Sequence, residues 1–432
     1  MSDTAIQFGK RAYWEQSWSR WVLLGMIAMI YLINRSPYPG FDDGLGFLLD
    51  AETGFNFHTN ATNHVLYNNL QHLLAQIFFF VPTVWVLTML VIVSSVLTLY
   101  RIMRIGDLFT GPMVTSLMPV IILGLSFTYW QQSEIIEVYA FNNLLFVHFL
   151  YYSLKDLQRG QRRYALWVSL LLGLGLLTHI QNILSIPYFL YYLLWGNELS
   201  SAKKATGLAI FASLFFLLFI PPLTGNMNSA SAVFFDRNFQ GNVTEFSLAG
   251  LLSGMSKGML YLAYNFHMFL MFILHGWYLM WRDRRNLFGL MTLLLVPYLG
   301  FAIKYNVNDN HVFFLIPYIL IVLPSVFSFS ALAMRLIGHM SWMLPMLLMM
   351  SPMLYGAAAM MGKKIEFVAR YDAEKAYKGG AVHLLWPGKA WAKDPLALAK
   401  QLYQEDPEAY DRGEVEWNYP AAVELLRRKG EI

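Results

Sequence analysis

Two groups of acidic residues have types and spacings that suit catalysis by carboxylates. Asp42 and Asp43 directly follow a Pro-Tyr-Pro-Gly-Phe stretch, and Glu134 and Glu137 are three residues apart. A helix would place the two glutamates on one face. A carboxylate at a water–membrane boundary could act as a general base, and paired carboxylates could divide acid and base roles or bind a metal ion. The alternatives are a solvated loop for the aspartates and helix capping by Ser133 or Glu134.

Other polar positions could recognise an anion or a sugar. His64 and His179 could bind a phosphate or donate to a sugar hydroxyl, although a histidine near a helix end is more often a structural hydrogen bonder. Arg237 is a cation that suits phosphate, and its alternative is contact with a lipid headgroup or an acidic neighbour. The turn from Asn306 to His311 is unusually polar and contains Asp309.

The segments that must position these residues are long and apolar. Hydrophobic residues make up 57% of the 432 residues and charged residues only 13%, against about 25% charged in soluble domains. Apolar runs of roughly 20 residues match the thickness of a bilayer. We therefore predict an all-α polytopic membrane protein with about eleven transmembrane helices, near residues 20–35, 75–100, 112–128, 138–154, 164–178, 182–196, 205–223, 259–281, 287–303, 312–333 and 341–360.

Lysine and arginine divide the connecting loops into two sides. One side carries Lys10, Arg11, Arg20, Arg101, Arg104, Lys155, Arg159, Arg162, Arg163, Lys203, Lys204, Arg282, Arg284, Arg285 and Arg335. The other side carries Arg35, Arg237, Lys257 and Lys304. The basic-rich side is expected in the cytoplasm together with the N-terminus. The acidic candidates and the segment after residue 361 then lie outside.

This topology suggests two parts. We predict a transmembrane catalytic domain over residues 1–360 and a small extracytoplasmic helical tail over residues 361–432. The first outer loop, residues 35–74, is long, and Asn68 to Gln76 at its end could form a helix on the membrane surface. The chain has no cysteine, which excludes disulfides and thiolate metal sites. We find no Walker loop, dinucleotide fingerprint, zinc-protease motif or nucleophile elbow.

Three of these segments resemble elements of a known family, the bacterial protein O-mannosyltransferase-like membrane proteins of the GT-C glycosyltransferase superfamily. The stretch 130–139 is similar to its Trp-x-x-x-x-x-x-Glu-Val-Tyr element. The turn 173–179 resembles its Gly-Leu…Asn-His element, with Thr178 where Asn is common. The stretch 309–317 resembles its Asp-x-x-x-Phe-x-x-Pro element. His64-Val65-Leu66-Tyr67 stands where the family usually has a His-Pro-Pro-Gly-Tyr-like stretch.

The resemblance implies a GT-C-like bundle and a transferase that uses a polyprenyl-phosphate sugar as donor. A hexose such as mannose would move, with inversion, to a hydroxyl of a protein, lipid or glycan acceptor on the outer face. By family analogy the base is a first-loop acid, Asp42 in preference to Asp43, and Arg237 would stabilise the departing phosphate, assisted by His64 or His311. A divalent cation could replace Arg237. The substrate-binding candidates are His64, Tyr67, Glu134, Glu137, Tyr139, His179, Arg237, Asp309 and His311.

This interpretation places the chain in a bacterial inner membrane with a periplasmic C-terminus and no nucleic-acid partner. Two other functions stay open on the sequence alone. A transporter or flippase of a lipid-linked sugar is typically built from internal repeats with charged groups near the membrane midplane, and neither is visible. A non-catalytic scaffold would leave the outer polar residues dispersed in space.

Overall fold

A computed structural model describes most of the chain. The described residues are 3–40, 43–57, 64–111, 114–195, 199–223, 233–234, 247–305, 307, 310–333, 340–362, 364–374, 385–388, 394–407 and 419–432. Every regular element within these ranges is helical. The prediction of an all-α chain is therefore confirmed for the described part.

The first half of the bundle contains ten α-helices and two 3₁₀ turns within the described residues. The helices are α1 (Asp3–Asn34), α2 (Gly44–Thr53), α3 (Val65–Ile77), α4 (Thr83–Thr110), α5 (Leu117–Gly124), α6 (Phe127–Gln132), α7 (Tyr139–Arg159), α8 (Ala165–Thr178), α9 (Ile186–Leu194) and α10 (Ser201–Leu217). The 3₁₀ turns, Val114–Ser116 and Ile180–Ser185, lead into α5 and α9.

The second half continues with α11 (Ile220–Leu223), α12 (Leu248–Phe266), α13 (Leu270–Asp283), α14 (Arg285–Lys304), α15 (Leu315–Val322), α16 (Ser325–Ala333) and α17 (Met340–Gly362). The 3₁₀ turns His267–Phe269 and Asn310–Phe314 precede α13 and α15. The last described helices are α18 (Glu366–Glu374), α19 (Pro395–Glu405) and α20 (Tyr419–Arg428).

Each of the eleven predicted spans overlaps one or more of these helices, yet the helices are more broken than the predicted spans. Within the described residues, four helical stretches are long and apolar enough to cross a bilayer: Thr83–Thr110, Leu248–Asp283, Arg285–Lys304 and Asn310–Leu332. Shorter apolar helices cover Trp18–Asn34, Ala165–Thr178, Ile180–Leu194 and Met346–Gly362. The count of eleven therefore stays a prediction.

The breaks have local causes. The predicted span at 75–100 actually begins at Thr83, because α3 ends at Ile77 and Pro82, which has no amide hydrogen, precedes α4. The stretch Leu248–Asp283 is interrupted at His267, whose φ of 31° lies in the left-handed region. A continuous α-helix cannot pass through a residue in that conformation.

The centre of the bundle is formed by α5, α6 and α15. Every side chain of α5 and α6 is buried, and so is nearly all of α15. Helices α4, α7, α8 and α10 pack in sequence beside them. Gly254 and Gly276 allow close backbone contacts, because a Cβ there would collide with the carbonyl oxygens of Ile303 and Pro324. Small residues at such crossings are typical of helix packing in membranes.

The first outer loop contains two helices rather than one. The predicted helix from Asn68 to Gln76 lies within α3, which begins three residues earlier at Val65. Helix α2 was not predicted, since its polar neighbours obscure the apolar residues on its buried face. The two helices pack on each other. The Asn68 amide donates to the Asp50 carboxylate at 2.7 Å, and His72 Nδ1–H donates to the Ala51 carbonyl at 2.8 Å. The apolar face of α20, from the C-terminal tail, packs against α2.

Candidate active site

The segment from Trp130 to Tyr139 connects α6 to α7 and is buried along its whole length. Glu134 is 1% exposed, and its carboxylate accepts a hydrogen bond from the Trp130 indole N–H. The Ser133 hydroxyl donates to the Tyr129 carbonyl at 2.7 Å. Neither Ser133 nor Glu134 caps a helix in the way that the alternative interpretation required, since α7 begins only at Tyr139.

This Glu-Val-Tyr segment, residues 130–139, also holds the start of the first outer loop. The Ser36 amide donates to the Glu134 carbonyl at 3.1 Å. Gly44, the first residue of α2, lies against the Ile136 carbonyl, and a Cβ at this position would be only 3.3 Å from that oxygen. The acidic loop and the acidic segment are therefore neighbours in space, as catalysis by the two groups would require.

Asp43 lies at this junction. It directly precedes α2, is half-buried, and its carbonyl accepts from the Phe47 amide at 2.9 Å. Three other candidates, Asp42, Arg237 and Asp309, lie outside the described residues. Their roles remain predictions.

His64 and His179 are 115 positions apart in the sequence but stack in the structure. Their ring centroids are 5.2 Å apart at an interplanar angle of 24°. His64 Nδ1–H donates to the Thr178 carbonyl at 2.8 Å, and His179 Nδ1 accepts from the Gln181 amide at 3.2 Å. These bonds fix the proton of neutral His64 on Nδ1 and that of neutral His179 on Nε2.

Burial keeps both rings neutral. Desolvation lowers the pKa of His64 to about 4, although its bond to the Thr178 carbonyl acts in the opposite direction. Desolvation, with a smaller effect of the neighbouring His64, lowers the pKa of His179 well below its usual range. A neutral imidazole can orient a substrate or a loop, but it supplies no positive charge to a phosphate.

Tyr67 links the first loop to the Glu-Val-Tyr segment a second time. Its hydroxyl is fully buried and donates to the Glu137 carbonyl at 2.9 Å. Its ring packs edge-on against Phe47 at 5.2 Å and stacks on Phe141 at 5.8 Å. Tyr67 therefore contacts the backbone of Glu137, and the Glu137 side chain does not take part in this bond.

A row of aromatic rings extends from the histidine pair toward α14. Tyr139 lies 5.6 Å from His179, and Phe313 contacts both of them. Tyr305 packs edge-on against Phe313 at 4.9 Å. His311, two residues before Phe313, packs on Tyr261 at 6.2 Å. The structure thus brings Tyr139 and His179 into contact, with His311 on the adjoining turn.

A buried polar network beneath these rings was missed by the sequence analysis. Asn182 donates to the Asn142 amide oxygen at 2.5 Å and to the Gly175 carbonyl at 2.9 Å. Tyr298 and Ser185 share a hydrogen bond at 2.8 Å. The sequence signal that could have identified it is the pair Asn142 and Asn182, which lie at the same end of the predicted spans 138–154 and 182–196, because unpaired amides are costly at membrane depth.

Comparisons with known proteins bear on the resemblance of these segments to the GT-C family elements. The profile of the family described as dolichyl-phosphate-mannose-protein mannosyltransferase matches residues 65–224. That range contains the Glu-Val-Tyr segment, His179 and Tyr67. A comparison with curated protein sequences finds no match.

Among solved structures, the fold is similar to that of ArnT from Cupriavidus metallidurans bound to undecaprenyl phosphate, with a TM-score of 0.55, 12% identity, and coverage of 93% of this chain and 73% of that chain. The same enzyme in the apo state gives a TM-score of 0.53 and 14% identity at the same coverage. The chain has the GT-C fold. The family match and the fold together indicate a multi-pass membrane glycosyltransferase of the GT-C type.

At the two places where the sequence departs from the GT-C family elements, the structure shows contacts that do not need the family's usual residues. Thr178 contributes its backbone carbonyl to His64, so this contact does not depend on the side chain at position 178. Tyr67 reaches Glu137 from the first turn of α3, where the family's usual prolines are absent. Both contacts keep the first loop attached to the spans that follow it.

Metal binding was left open by the sequence. Within the described part of the chain, no group of three or more His, Asp or Glu side chains could hold a metal ion. Asp42 and Asp309, the acids most relevant to such a site, lie outside that part.

Proposed function

We propose that this GT-C protein transfers a hexose, such as mannose, from a polyprenyl-phosphate carrier to an acceptor hydroxyl on the extracytoplasmic face of the membrane. The observation that carries the proposal is the fold similarity over 93% of the chain to an enzyme captured with undecaprenyl phosphate. The family match over residues 65–224 supports a mannosyl donor.

In the proposed reaction, the acceptor hydroxyl attacks C1 of the sugar while a carboxylate removes its proton. The C1–oxygen bond to phosphate breaks, and the polyprenyl phosphate departs with the bonding electron pair. A single displacement of this kind inverts the configuration at C1. We assign the base to Asp42, in preference to Asp43, because a first-loop acid has this role by family analogy. The contacts of Ser36 and Gly44, on either side of Asp42 in the sequence, with the Glu134 and Ile136 carbonyls support the assignment, since they bring both flanking residues to the Glu-Val-Tyr segment.

The departing phosphate needs positive charge nearby. We assign this role to Arg237, and favour His311 over His64 as its assistant because burial holds His64 neutral.

Lys304 is a further candidate from the described residues. It ends α14 directly before Tyr305, whose ring belongs to the aromatic row that reaches His179. A divalent cation could replace the arginine, and loss of transfer in a chelator would indicate that it does.

Glu134 and Glu137 have a positioning role in this scheme. Their backbone carbonyls receive the Ser36 amide and the Tyr67 hydroxyl, both from the first outer loop. The Glu134 carboxylate is engaged by Trp130, whose ring contacts Trp386 of the tail edge-on at 5.5 Å. The segment therefore orients the loop that carries the proposed base.

The experiment is incubation of the purified protein in liposomes with a panel of polyprenyl-phosphate hexoses and a mixture of acceptors, with products identified by mass spectrometry. We expect one sugar to be transferred and the free carrier phosphate to be released in equal amount. Movement of labelled donor between leaflets without any glycoside product would replace this proposal by the transporter function. Donor consumption in a bacterial inner-membrane vesicle of known sidedness would locate the reaction on the periplasmic face.

A further inference from the structure

Two cations lie in one cluster of tyrosine rings on the basic side of the bundle. The Arg101 guanidinium carbon is 4.8 Å from the centre of the Tyr151 ring and 5.5 Å from that of Tyr152. The Lys155 ammonium nitrogen is 5.4 Å from the same Tyr151 ring and 4.9 Å from Tyr164. Both cations are half-buried between α4, α7 and the turn that precedes α8.

The hydrogen-bond partners of the two cations are neutral. Arg101 Nε–H donates to His148 Nε2 at 2.8 Å, while His148 Nδ1–H donates to the Leu144 carbonyl at 2.8 Å. The accepting Nε2 makes this imidazole the neutral tautomer. Lys155 donates to the Tyr164 hydroxyl at 3.2 Å. Among the described residues, neither cation forms a salt bridge.

The carboxylates nearby in sequence are engaged elsewhere. Asp107, on α4 beyond Arg101, receives two bonds of 2.9 Å from Arg20. Asp156, next to Lys155, accepts from the Tyr164 amide and the Tyr192 hydroxyl, each at 2.7 Å. The site therefore concentrates two like charges in partly desolvated surroundings, which is unfavourable without a counter-ion.

The depth of the cluster matches the lipid headgroups. Trp21 stacks on Tyr100 at 5.5 Å, and Tyr100 is in turn within 5.8 Å of Arg101. Trp18 and Trp21 are 72% and 60% exposed and begin the apolar stretch Trp18–Asn34 of α1. Exposed tryptophans at the start of an apolar helix mark the membrane–water interface.

We propose that Arg101 and Lys155 bind the phosphate of an anionic phospholipid in the leaflet on the basic side of the protein. The planar guanidinium can hold two phosphate oxygens and the ammonium a third. Basic pockets between transmembrane helices are established sites for such headgroups. The site is separate from the glycosyl-transfer residues, and its occupation does not depend on the proposed reaction.

The test is native mass spectrometry of the full-length protein in detergent, titrated with dioleoyl phosphatidylglycerol or with dioleoyl phosphatidylcholine, which has the same tails. We expect preferential retention of phosphatidylglycerol. The double variant Arg101→Gln/Lys155→Gln should weaken its binding about tenfold, as expected for the loss of charge-assisted bonds. The control Arg159→Gln/Arg163→Gln removes the same charge from exposed positions on the same side, and should change binding less than twofold.

Three outcomes would overturn the proposal. They are equal retention of the two lipids, equal weakening by the control pair, and displacement of phosphatidylglycerol by millimolar inorganic phosphate, which would indicate a site for the free ion. Lys155→Gln alone removes a half-exposed side chain and keeps the test valid if the double variant does not fold. Arg101→Lys keeps the positive charge but loses the planar guanidinium that can hold two phosphate oxygens. This variant should therefore bind phosphatidylglycerol with intermediate affinity.

Discussion

The two ends of the bundle are held together by different interactions. On the side of the bundle that contains the Glu-Val-Tyr segment, hydrogen bonds from neutral donors, such as the Tyr67 hydroxyl and the His64 imidazole, join distant segments through backbone carbonyls. On the basic side, Arg20 and Asp107 form a two-pronged ion pair at 2.9 Å. At the basic end an ion pair between buried side chains therefore stabilises the fold, whereas the charged candidates at the other end are expected to serve the reaction.

The largest effect should come from the proposed base. Asp42→Asn should reduce sugar transfer by about 10²–10⁴-fold, because an amide cannot accept the acceptor's proton. The thermal unfolding temperature in detergent should remain unchanged. Transfer is measured with the donor identified by the panel.

Asp43→Asn is the matched control for this substitution, since it makes the same change one position away. An Asp42→Asn protein with full activity would refute the base assignment. If Asp43→Asn is the inactive variant instead, the base is Asp43 and the rest of the scheme is unchanged.

Breaking the ion pair at the basic end should affect stability and leave the chemistry intact. Arg20 and Asp107 are only 11% and 9% exposed. Arg20→Ala leaves the Asp107 carboxylate with the Ser116 hydroxyl and a longer contact of 3.7 Å to Arg104, and it should cost about 2 kcal/mol in free energy of unfolding. The control Arg282→Ala removes an exposed pair with Asp283 and should leave the unfolding temperature unchanged, because water screens an exposed ion pair. If the two variants changed the unfolding temperature equally, the burial of the Arg20–Asp107 pair would be contradicted.

The buried histidines predict how stability depends on pH. The pKa of His64 is lowered to about 4 in the folded protein, against about 6.5 when unfolded. Between these values the unfolded chain binds a proton that the folded chain does not, so stability falls as the pH falls. Between pH 7.5 and pH 5, the titration of His64 therefore lowers the free energy of unfolding by about 2 kcal/mol. His64→Gln should flatten the pH profile of the unfolding temperature; an unchanged slope would show that His64 is not kept neutral.

The smallest effect is expected from removing a hydrogen bond with a neutral donor, which tests whether such bonds position the site. Tyr67→Phe removes the hydrogen bond to the Glu137 carbonyl and should cost about 1 kcal/mol of stability and lower the rate of transfer. Tyr188→Phe removes a buried bond of the same length, 2.9 Å, to Ser153 on another helix pair. It should lower stability equally and leave transfer unchanged. Equal losses of transfer in both variants would argue that Tyr67 is merely structural.

Much of the architecture could be predicted from the sequence because it follows from local properties. Apolar length predicted a helical membrane protein, and the motif around Glu137 predicted the GT-C fold. The helix that contains Asn68 was also predicted. Each of these signals lies within a few residues of the feature that it specifies.

The rest depends on contacts that have no local signal. Nothing near His64 indicates that its partner is the carbonyl of Thr178, and the same side chain could equally have faced a phosphate. The break at His267 reflects tertiary packing that overrides a continuous apolar run. Helix capping by Glu134 was a reasonable alternative until the position of Trp130 was known, because either partner satisfies the same carboxylate.

The contact between α2 and α20 has a consequence for how the protein is made. Helix α2 lies near the beginning of the chain and α20 near its end. During synthesis, the part of α2 that α20 covers therefore stays exposed until the intervening helices and α20 itself have been made. The loop that carries the proposed base would gain this contact only after the helices between α2 and α20 have been made, so those helices would form before the loop is complete.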